Sequence, residues 1–165
     1  MMEILKFPDE KLRLKSAPIL RFDSQLHQIL DEMARTMYGA RGVGLAGAQV
    51  GYFYRIFVID IGTQDERFEK LFEFINPVIE KKTGKTSWEE GCLSIPGILE
   101  TVTRAAKISM RFFDRHGVEQ SMDAEELLAV AIQHEYDHLE GILYIDHLSF
   151  LKKRMIKRKL EKEAH

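Results

Sequence analysis

A pair of histidines separated by three residues is the feature of this sequence most capable of chemistry. His134, Glu135 and His138 form an H-E-x-x-H pattern inside AEELLAVAIQHEYDHLEG, a segment of strongly helical composition. Positions i and i+4 of an α-helix lie on nearly the same face, so both imidazoles can reach one cation. Glu135 points beside that cation, where its carboxylate can take a proton from a water molecule. The pattern therefore predicts a catalytic metal site.

Two histidines leave this site one protein ligand short of the three that a catalytic metal usually has. Glu161 lies at roughly the distance at which thermolysin-like proteases supply a glutamate, but it belongs to a lysine-rich tail. Cys92 is the only cysteine and lies among glycines in WEEGCLSIPG. A thiolate is a strong ligand for a divalent metal, and glycines allow close backbone approach. We therefore expect Cys92 to be the third ligand.

A glycine-rich stretch, YGARGVGLAGAQVGYFYRIFVID, contains G-x-G-x-x-G at Gly42, Gly44 and Gly47. A dinucleotide-binding fingerprint needs a strand before the glycines and a helix after them. Here the apolar periodicity before them predicts a helix that Asp23 or Ser24 can cap, and the β-branched and aromatic residues after them predict a strand. Because this order is reversed, we expect no nucleotide cofactor.

The elements that must position these residues predict an α+β fold. From Phe53 to Met122, short strand-like segments are separated by glycine and proline breaks, and such short links favour antiparallel pairing. Asp123 and Glu126 have the spacing of a capping box at the start of the histidine helix. We expect antiparallel β-sheets packed around a central metal-carrying helix, with an N-terminal helix and a C-terminal helix. Residues 1–148 would form one catalytic domain, and residues 149–165 a basic helix appended to it.

Length and composition bound the possible location and partners. The chain has 165 residues, of which 45% are hydrophobic and 30% charged, which suits one domain. No run approaches the roughly 18 to 20 apolar residues of a membrane span, and the first residues lack the pattern of a signal peptide. We therefore expect a cytoplasmic protein with no membrane partner. One cysteine allows no internal disulfide.

The C-terminal segment is strongly basic. Residues 149–165 carry seven lysines and arginines and two glutamates, a net charge of +5 on a chain whose total is −2. Such a segment suits an anionic partner such as RNA. The alternative is a solvated helix that packs its apolar residues on one side. Those residues would be Phe150, Leu151, Met155 and Leu160.

Three motifs occur together in one order and spacing: GVGLAGAQ at residues 42–49, EGCLS at residues 90–94 and QHEYDH at residues 133–138. Their combination resembles the peptide deformylase family, and the likeness extends to about Ser149. The resemblance implies a metal-dependent hydrolase that removes the formyl group from the N-terminal formylmethionine of new polypeptides. Gly47 stands where the family usually has alanine, and we expect this glycine to loosen the loop.

The resemblance also implies a role for individual residues of the motifs. The metal ligands would be Cys92, His134 and His138. Glu135 would accept a proton from water and pass it to the departing amine. The side-chain amide of Gln49 and the backbone N–H of Leu93 would stabilise the negative oxygen that develops. A Glu90–Arg104 ion pair would fix the cysteine loop, although the two could also be independent surface charges.

The substrate implied by the resemblance is an N-formylmethionyl peptide. It would lie extended against the backbone around Gly44, with its methionine side chain in an apolar pocket. That pocket would be lined by Val43, Leu127, Val130 and Ala131, which are equally suited to a protein core. The family resemblance further implies that the basic C-terminal helix docks on the ribosome.

Two imidazoles and a thiolate accept iron, zinc, nickel or cobalt. The resemblance implies Fe²⁺ in the cell, with Zn²⁺, Ni²⁺ or Co²⁺ as alternatives. Two other functions remain open. One is an H-E-x-x-H zinc peptidase, which would use a glutamate or histidine as third ligand and would not depend on Cys92. The other is a catalytically inactive, deformylase-like binding protein that keeps the metal site and binds RNA through its tail.

Overall fold

The computed structural model describes residues 1–63 and 65–163. Within these ranges it contains three α-helices and seven β-strands, together with three short 3-10 turns. In chain order the helices and strands are α1 (Ser24–Gly39), β1 (Gly44–Ala46), β2 (Ile56–Ile59), β3 (Phe72–Thr83), β4 (Thr86–Cys92), β5 (Ile95–Arg104), β6 (Lys107–Phe113), β7 (Glu119–Glu125), α2 (Glu126–Leu139) and α3 (Phe150–Glu163). The predicted α+β fold is confirmed. None of the helices described is both long enough and apolar enough to cross a membrane.

The strands form two antiparallel sheets. The larger sheet has the order β1-β2-β3-β6-β7, and the smaller one is the β4-β5 hairpin. Every neighbouring pair in both sheets is antiparallel, which confirms the pairing predicted from the short links. β2 is buried on both faces, because α1 packs on one face of the large sheet and α2 on the other. The sheet thus holds α2 in a fixed position.

The first helix follows its sequence pattern. The Asp23 side chain accepts a hydrogen bond from the Leu26 N–H at 3.0 Å, and the helix ends at Gly39. Its apolar residues, which recur at a spacing of three and four, pack together with residues of β2 in one hydrophobic cluster. The buried members from the helix are Leu26, Leu30, Met33 and Met37. The predicted cap and helix are confirmed.

The start of α2 differs from the prediction. Asp123 is not a helix cap: it lies in β7 opposite Ser109, whose hydroxyl donates to its carboxylate at 2.7 Å. β7 continues to Glu125, and Glu126 begins the helix with a left-handed φ of 57°. The predicted capping box is wrong because the ladder with β6 extends through these residues, so tertiary pairing overrides the local signal.

The C-terminal helix contacts the body through a different face from the one expected. Ser149 accepts a hydrogen bond from the Lys152 N–H at 3.2 Å at its start, as its sequence suggests. Ile156 is its one buried residue, and Leu160 packs beside it. The other three apolar residues are exposed: Phe150 by 74%, Leu151 by 68% and Met155 by 62%. The alternative in which these three pack together with Leu160 on one side is wrong, because at 100° per residue they point away from the Ile156 face.

Candidate active site

The two histidines of α2 meet the cysteine at the end of β4. Cys92, His134 and His138 each offer one ligand atom, and these atoms all lie within 4.8 Å of one another. The Cys92 Sγ is 3.5 Å from Nε2 of His138. Within the described residues this is the one group of three such side chains with metal-ligand spacing. Glu161, the other candidate, lies on the exposed side of α3 and is not part of it.

The β4-β5 hairpin brings the cysteine to this position. The strand pairing shifts between Glu90 and Cys92, and Cys92 then pairs with Ile95 across a tight turn. Gly91 occupies the shifted position, where an added Cβ would lie 2.8 Å from the Leu99 side chain. A β-bulge of this kind re-aims side chains next to it. The local bulge therefore turns Cys92 toward the helix.

The orientation of His134 is set by a buried ion pair. Its Nδ1 lies 2.9 Å from Oε1 of Glu90, so Nε2 is the nitrogen left to face Cys92. Arg104 donates to both Glu90 oxygens, at 2.6 and 3.0 Å, and both side chains are buried. Arg104 also donates to Asp137 at 3.0 Å. The predicted Glu90–Arg104 ion pair is confirmed, and the alternative of independent surface charges is wrong.

The negative charges around this cluster suit a cation. Burial holds the pKa of His138 well below its usual value, which keeps the imidazole neutral as a metal ligand must be. Burial also lowers the pKa of His134, but the negative charges of Glu135, Cys92 and Glu90 outweigh it and raise that pKa well above normal. The centre of the site thus favours a positive charge. A thiolate, two imidazoles and surrounding carboxylates fit a divalent metal ion.

Glu135 occupies a buried position beside the ligands. Within the described part of the chain its Oε1 has no hydrogen-bond partner. Its Oε2 lies so close to Gly44 that an added Cβ there would be 2.6 Å away. Burial raises the pKa of Glu135 to about 7. A carboxyl group with a pKa near the working pH is suited to both accepting and donating a proton.

Gln49 lies on the 3-10 turn Gly47–Val50 that follows β1. Its Oε1 accepts a hydrogen bond from the Ala46 N–H at 2.9 Å, and its Nε2 lies 3.5 Å from the Cys92 Sγ. Leu93 follows directly after Cys92, and both residues line one cavity. Gly42 leaves room for it, since an added Cβ at Gly42 would be 2.6 Å from Leu93 Cδ1. Gln49 and Leu93, which were predicted to act together, are thus both next to the cysteine.

The glycine at position 47 has a different effect from the expected loosening. It is buried, and an added Cβ would lie 2.5 Å from the backbone oxygen of Tyr52 and 3.2 Å from that of Tyr54. The Gly47 oxygen also accepts a hydrogen bond from the Tyr52 N–H at 2.9 Å. The missing side chain therefore allows two backbone segments to pack closely beside Gln49.

One cavity of about 700 Å³ is lined by Gln49, Cys92, Leu93, His134 and Glu135, among others. Its lining includes all five residues predicted to bind substrate: Val43, Gly44, Leu127, Val130 and Ala131. Val130 and Ala131 are buried in the wall, whereas Val43 and Leu127 are exposed at the mouth. Trp88 and Leu99 also line the cavity with exposed apolar surface, and sequence reasoning did not find them. The assignment of a methionine pocket stays a prediction.

A second buried carboxylate supports the strand beside the cavity. Asp60 accepts hydrogen bonds from the Tyr38 hydroxyl at 2.6 Å and from the N–H groups of Gly62 and Phe68 at 2.8 and 2.9 Å. Its own N–H donates to the Val43 oxygen at 2.9 Å. Asp60 thus ties the segment after β2 to Val43, which directly precedes β1.

A helix-borne pair of histidines, a facing thiolate and a buried glutamate at the end of one cavity define a metal-dependent hydrolase. The profile of the family described as polypeptide deformylase matches residues 1–154. Peptide deformylase 1 of Shewanella oneidensis is 46% identical over 164 residues, which cover 99% of this chain and 96% of that protein. The peptide deformylase of Xylella fastidiosa strain 9a5c is 49% identical over 166 residues, with coverages of 99% and 96%.

Solved structures agree with the sequence comparisons. The crystal structure of a peptide deformylase from Legionella pneumophila superposes with a TM-score of 0.93 at 43% identity, covering 99% of this chain and 95% of that one. A peptide deformylase from Synechococcus elongatus, solved in complex with actinonin, gives a TM-score of 0.91 at 36% identity, covering 99% of this chain and 88% of that one. The chain belongs to the peptide deformylase family. Members are metal-dependent hydrolases that remove the N-formyl group from nascent chains, and no comparison supports a peptidase or an inactive binding protein.

Proposed function

We propose that this chain hydrolyses the formyl amide of N-formylmethionyl peptides and releases formate. The observation that carries the proposal is the meeting of Cys92, His134 and His138 beside the buried Glu135, at one end of the cavity. In the balanced reaction, water adds to the formyl carbon, the carbon–nitrogen bond breaks, and the peptide amine leaves with one proton. The residues that line the cavity would divide the steps of this reaction among them.

Cys92, His134 and His138 would hold a divalent metal ion, and Fe²⁺ is the metal proposed for the cell, with Zn²⁺, Ni²⁺ and Co²⁺ as substitutes. Such an ion would supply Lewis acidity, which lowers the pKa of a water molecule to about 7. Glu90 supports this arrangement, because its hydrogen bond to Nδ1 leaves Nε2 of His134 as the ligand atom.

Glu135 would act first as a general base and then as a general acid. It would accept the proton of the attacking water and later donate it to the departing amine. Its pKa of about 7, raised by burial, supports both steps near neutral pH. Gly44 supports the geometry, since it leaves the space that the carboxylate occupies.

Gln49 and Leu93 would stabilise the negative charge that develops on the formyl oxygen. The Gln49 Nε2 and the Leu93 backbone N–H are the proposed donors, and one such donor is typically worth about 10² to 10³ in rate. The orientation of the Gln49 amide supports this role, because its oxygen is already used by the Ala46 N–H. Only the nitrogen is then directed toward Cys92.

The peptide would lie extended along Gly44, with its methionine side chain in the apolar part of the cavity. The residues proposed to contact that side chain are Val43, Leu127, Val130 and Ala131. The apolar character of these four side chains suits a thioether.

The basic helix α3 is proposed to dock on the ribosome in the cytoplasm, where nascent chains emerge. Its exposed apolar residues and its lysines and arginines support a partner that is anionic and extended. Co-sedimentation with ribosomes should fall steeply as salt rises from about 50 to 200 mM, as counterion release requires. A truncation before residue 149 should abolish it.

Formate release from formyl-Met-Ala-Ser tests the main proposal. Protein purified without air and loaded with Fe²⁺ should release one formate per peptide and leave the Met-Ala bond intact. Cys92→Ser should lose both metal and activity. A peptidase would instead keep both in that variant and cleave between residues, which mass spectrometry of the products distinguishes. A binding protein would release no formate at all.

A further inference from the structure

We propose that Ser94 is a positioning residue for this reaction, whose hydroxyl fixes the Gln49 amide so that its N–H faces the reacting oxygen. The Gln49 Nε2 donates to the Ser94 Oγ at 3.1 Å. This inference rests on the proposed function. It adds a residue that touches neither the metal ligands nor the methionine pocket, and that acts only through Gln49.

The two ends of the Gln49 amide are held by different partners. Oε1 accepts from the Ala46 N–H, and Nε2 carries two hydrogens. One of them is directed at the Ser94 hydroxyl, and the nitrogen also lies 3.5 Å from the Cys92 Sγ. Together the two fixed bonds determine the rotation of the amide plane. The second hydrogen is directed at the Cys92 Sγ, at the metal end of the cavity.

The backbones of the two residues are tied to the same N-terminal segment. The Leu5 N–H donates to the Gln49 oxygen at 2.7 Å, and the Phe7 N–H donates to the Ser94 oxygen at 2.8 Å. These bonds fix the distance between the turn that carries Gln49 and the loop that carries Ser94. The side-chain hydrogen bond therefore forms between two anchored backbones, and neither residue can shift to replace it.

Burial makes the Ser94 hydroxyl hard to replace. Ser94 is 0% exposed and Gln49 is 1% exposed, so bulk water does not reach the bond between them. A buried donor that loses its partner keeps its full desolvation cost. Without the hydroxyl, the amide would turn toward other acceptors, and its nitrogen would leave the orientation that the reaction needs.

The chain offers a matched control. Ser16 is also buried, but its Oγ has no hydrogen-bond partner within the described residues. Ser16→Ala and Ser94→Ala thus each delete a hydroxyl oxygen from a buried position. Only the second deletion frees the Gln49 amide.

Steady-state kinetics on the Fe²⁺-loaded enzyme with formyl-Met-Ala-Ser test the role. Ser94→Ala should lower kcat about tenfold, a part of what loss of a whole oxyanion donor costs, with KM and metal content unchanged. Ser16→Ala should leave all three unchanged. In a Gln49→Ala background, Ser94→Ala should change kcat by less than about twofold, because the group it positions is gone.

A second measurement does not depend on activity. The side-chain amide protons of Gln49, followed by NMR, should exchange with solvent at least about tenfold faster in Ser94→Ala than in the wild type or in Ser16→Ala. Should Ser94→Ala fold poorly, Ser94→Thr and Ser94→Val form a pair of equal shape. The threonine variant should then keep the slow exchange and the valine variant lose it.

The outcomes separate the two proposals. A wild-type enzyme that releases no formate would overturn the proposed function. An active wild type in which Ser94→Ala lowers kcat equally with and without Gln49 would overturn the role of Ser94 alone. Unchanged exchange of the Gln49 amide protons in Ser94→Ala would do the same.

Discussion

The carboxylate of Glu90 lies 2.9 Å from Nδ1 of His134, although the two residues are 44 positions apart in the chain. Burial disfavours the charge on Glu90, but the hydrogen bonds from His134 and Arg104 outweigh it and lower the pKa of the carboxyl. Glu90 is therefore an anion that accepts from the imidazole on one side and from a guanidinium on the other. The orientation of His134 at the metal end of the cavity depends on this chain of hydrogen bonds from His134 through Glu90 to Arg104.

Replacing Glu90 by glutamine should weaken metal binding about 10- to 100-fold, as is typical when the partner of a ligating histidine is changed. The variant loses the charge that faces Arg104, and its amide nitrogen cannot accept, so one oxygen is left for the donors of His134 and Arg104. Competition with a chelator of known affinity measures the effect. Glu80→Gln, which removes an exposed partner of Arg111, is the control and should bind metal as the wild type does. Equal metal affinity in both variants would contradict the role of Glu90 in orienting His134.

Glu135→Gln should keep its metal but lose turnover by at least about 10²-fold, the lower bound for a general acid–base group. The amide matches the carboxylate in size, so the ligands should stay in place, but it cannot accept a proton. Metal analysis and formate release on one sample give both quantities. Glu125→Gln removes an exposed carboxylate at the end of β7, and it should change neither the metal content nor the turnover. Parallel loss of metal and turnover would mean that Glu135 holds the site together instead.

Asp60→Asn should lower the free energy of unfolding by about 1–3 kcal/mol at pH 7, because a buried hydrogen-bonded group loses part of its partners. Burial opposes the charge of Asp60, but the bonds from Tyr38, Gly62 and Phe68 and the charge of Arg67 lower its pKa. Because the pKa of Asp60 is lower in the folded state, its ionised form stabilises the folded protein at any pH above the pKa of the unfolded chain, near 4. This contribution is lost as the pH falls through the pKa of the folded state.

Chemical denaturation of the two proteins at several pH values measures this effect. The difference in the free energy of unfolding between wild type and Asp60→Asn should be largest at neutral pH and should shrink below about pH 4. Asp65→Asn, at an exposed position, should unfold like the wild type throughout. A difference that grows as the solution becomes more acidic would show the wrong sign for this account.

Gly47→Ala should destabilise the protein by roughly 1–3 kcal/mol, the usual cost of an extra methyl group in a packed site. The new Cβ would lie 2.5 Å from the Tyr52 oxygen, so one of two backbone segments must move. Because Gln49 lies two residues further on, kcat should fall together with stability. Thermal unfolding and formate release are the measurements, and an unchanged midpoint would indicate that the turn relaxes freely.

Local spacing was enough to predict the chemistry of α2. The i, i+4 rule placed both imidazoles on one face whatever packs around them, and the helix before the glycines excluded a nucleotide fingerprint. Cys92 was found through its chemistry, since a thiolate was the best remaining ligand. The three motifs then resembled one family, and that resemblance is confirmed.

The sequence by itself predicted the ligand types and determined the class of fold and the family, because these depend on residue identity and on periodicity along the chain. Only the tertiary structure decided where α2 begins, which face of α3 packs, why position 47 lacks a side chain, and what Asp60 and Ser94 contact. Each of these depends on a hydrogen bond or a close approach between segments far apart in sequence, and no local pattern encodes such a contact. Ser94 shows the difference: it is one small residue inside a motif, and its partner lies 45 positions earlier in the chain.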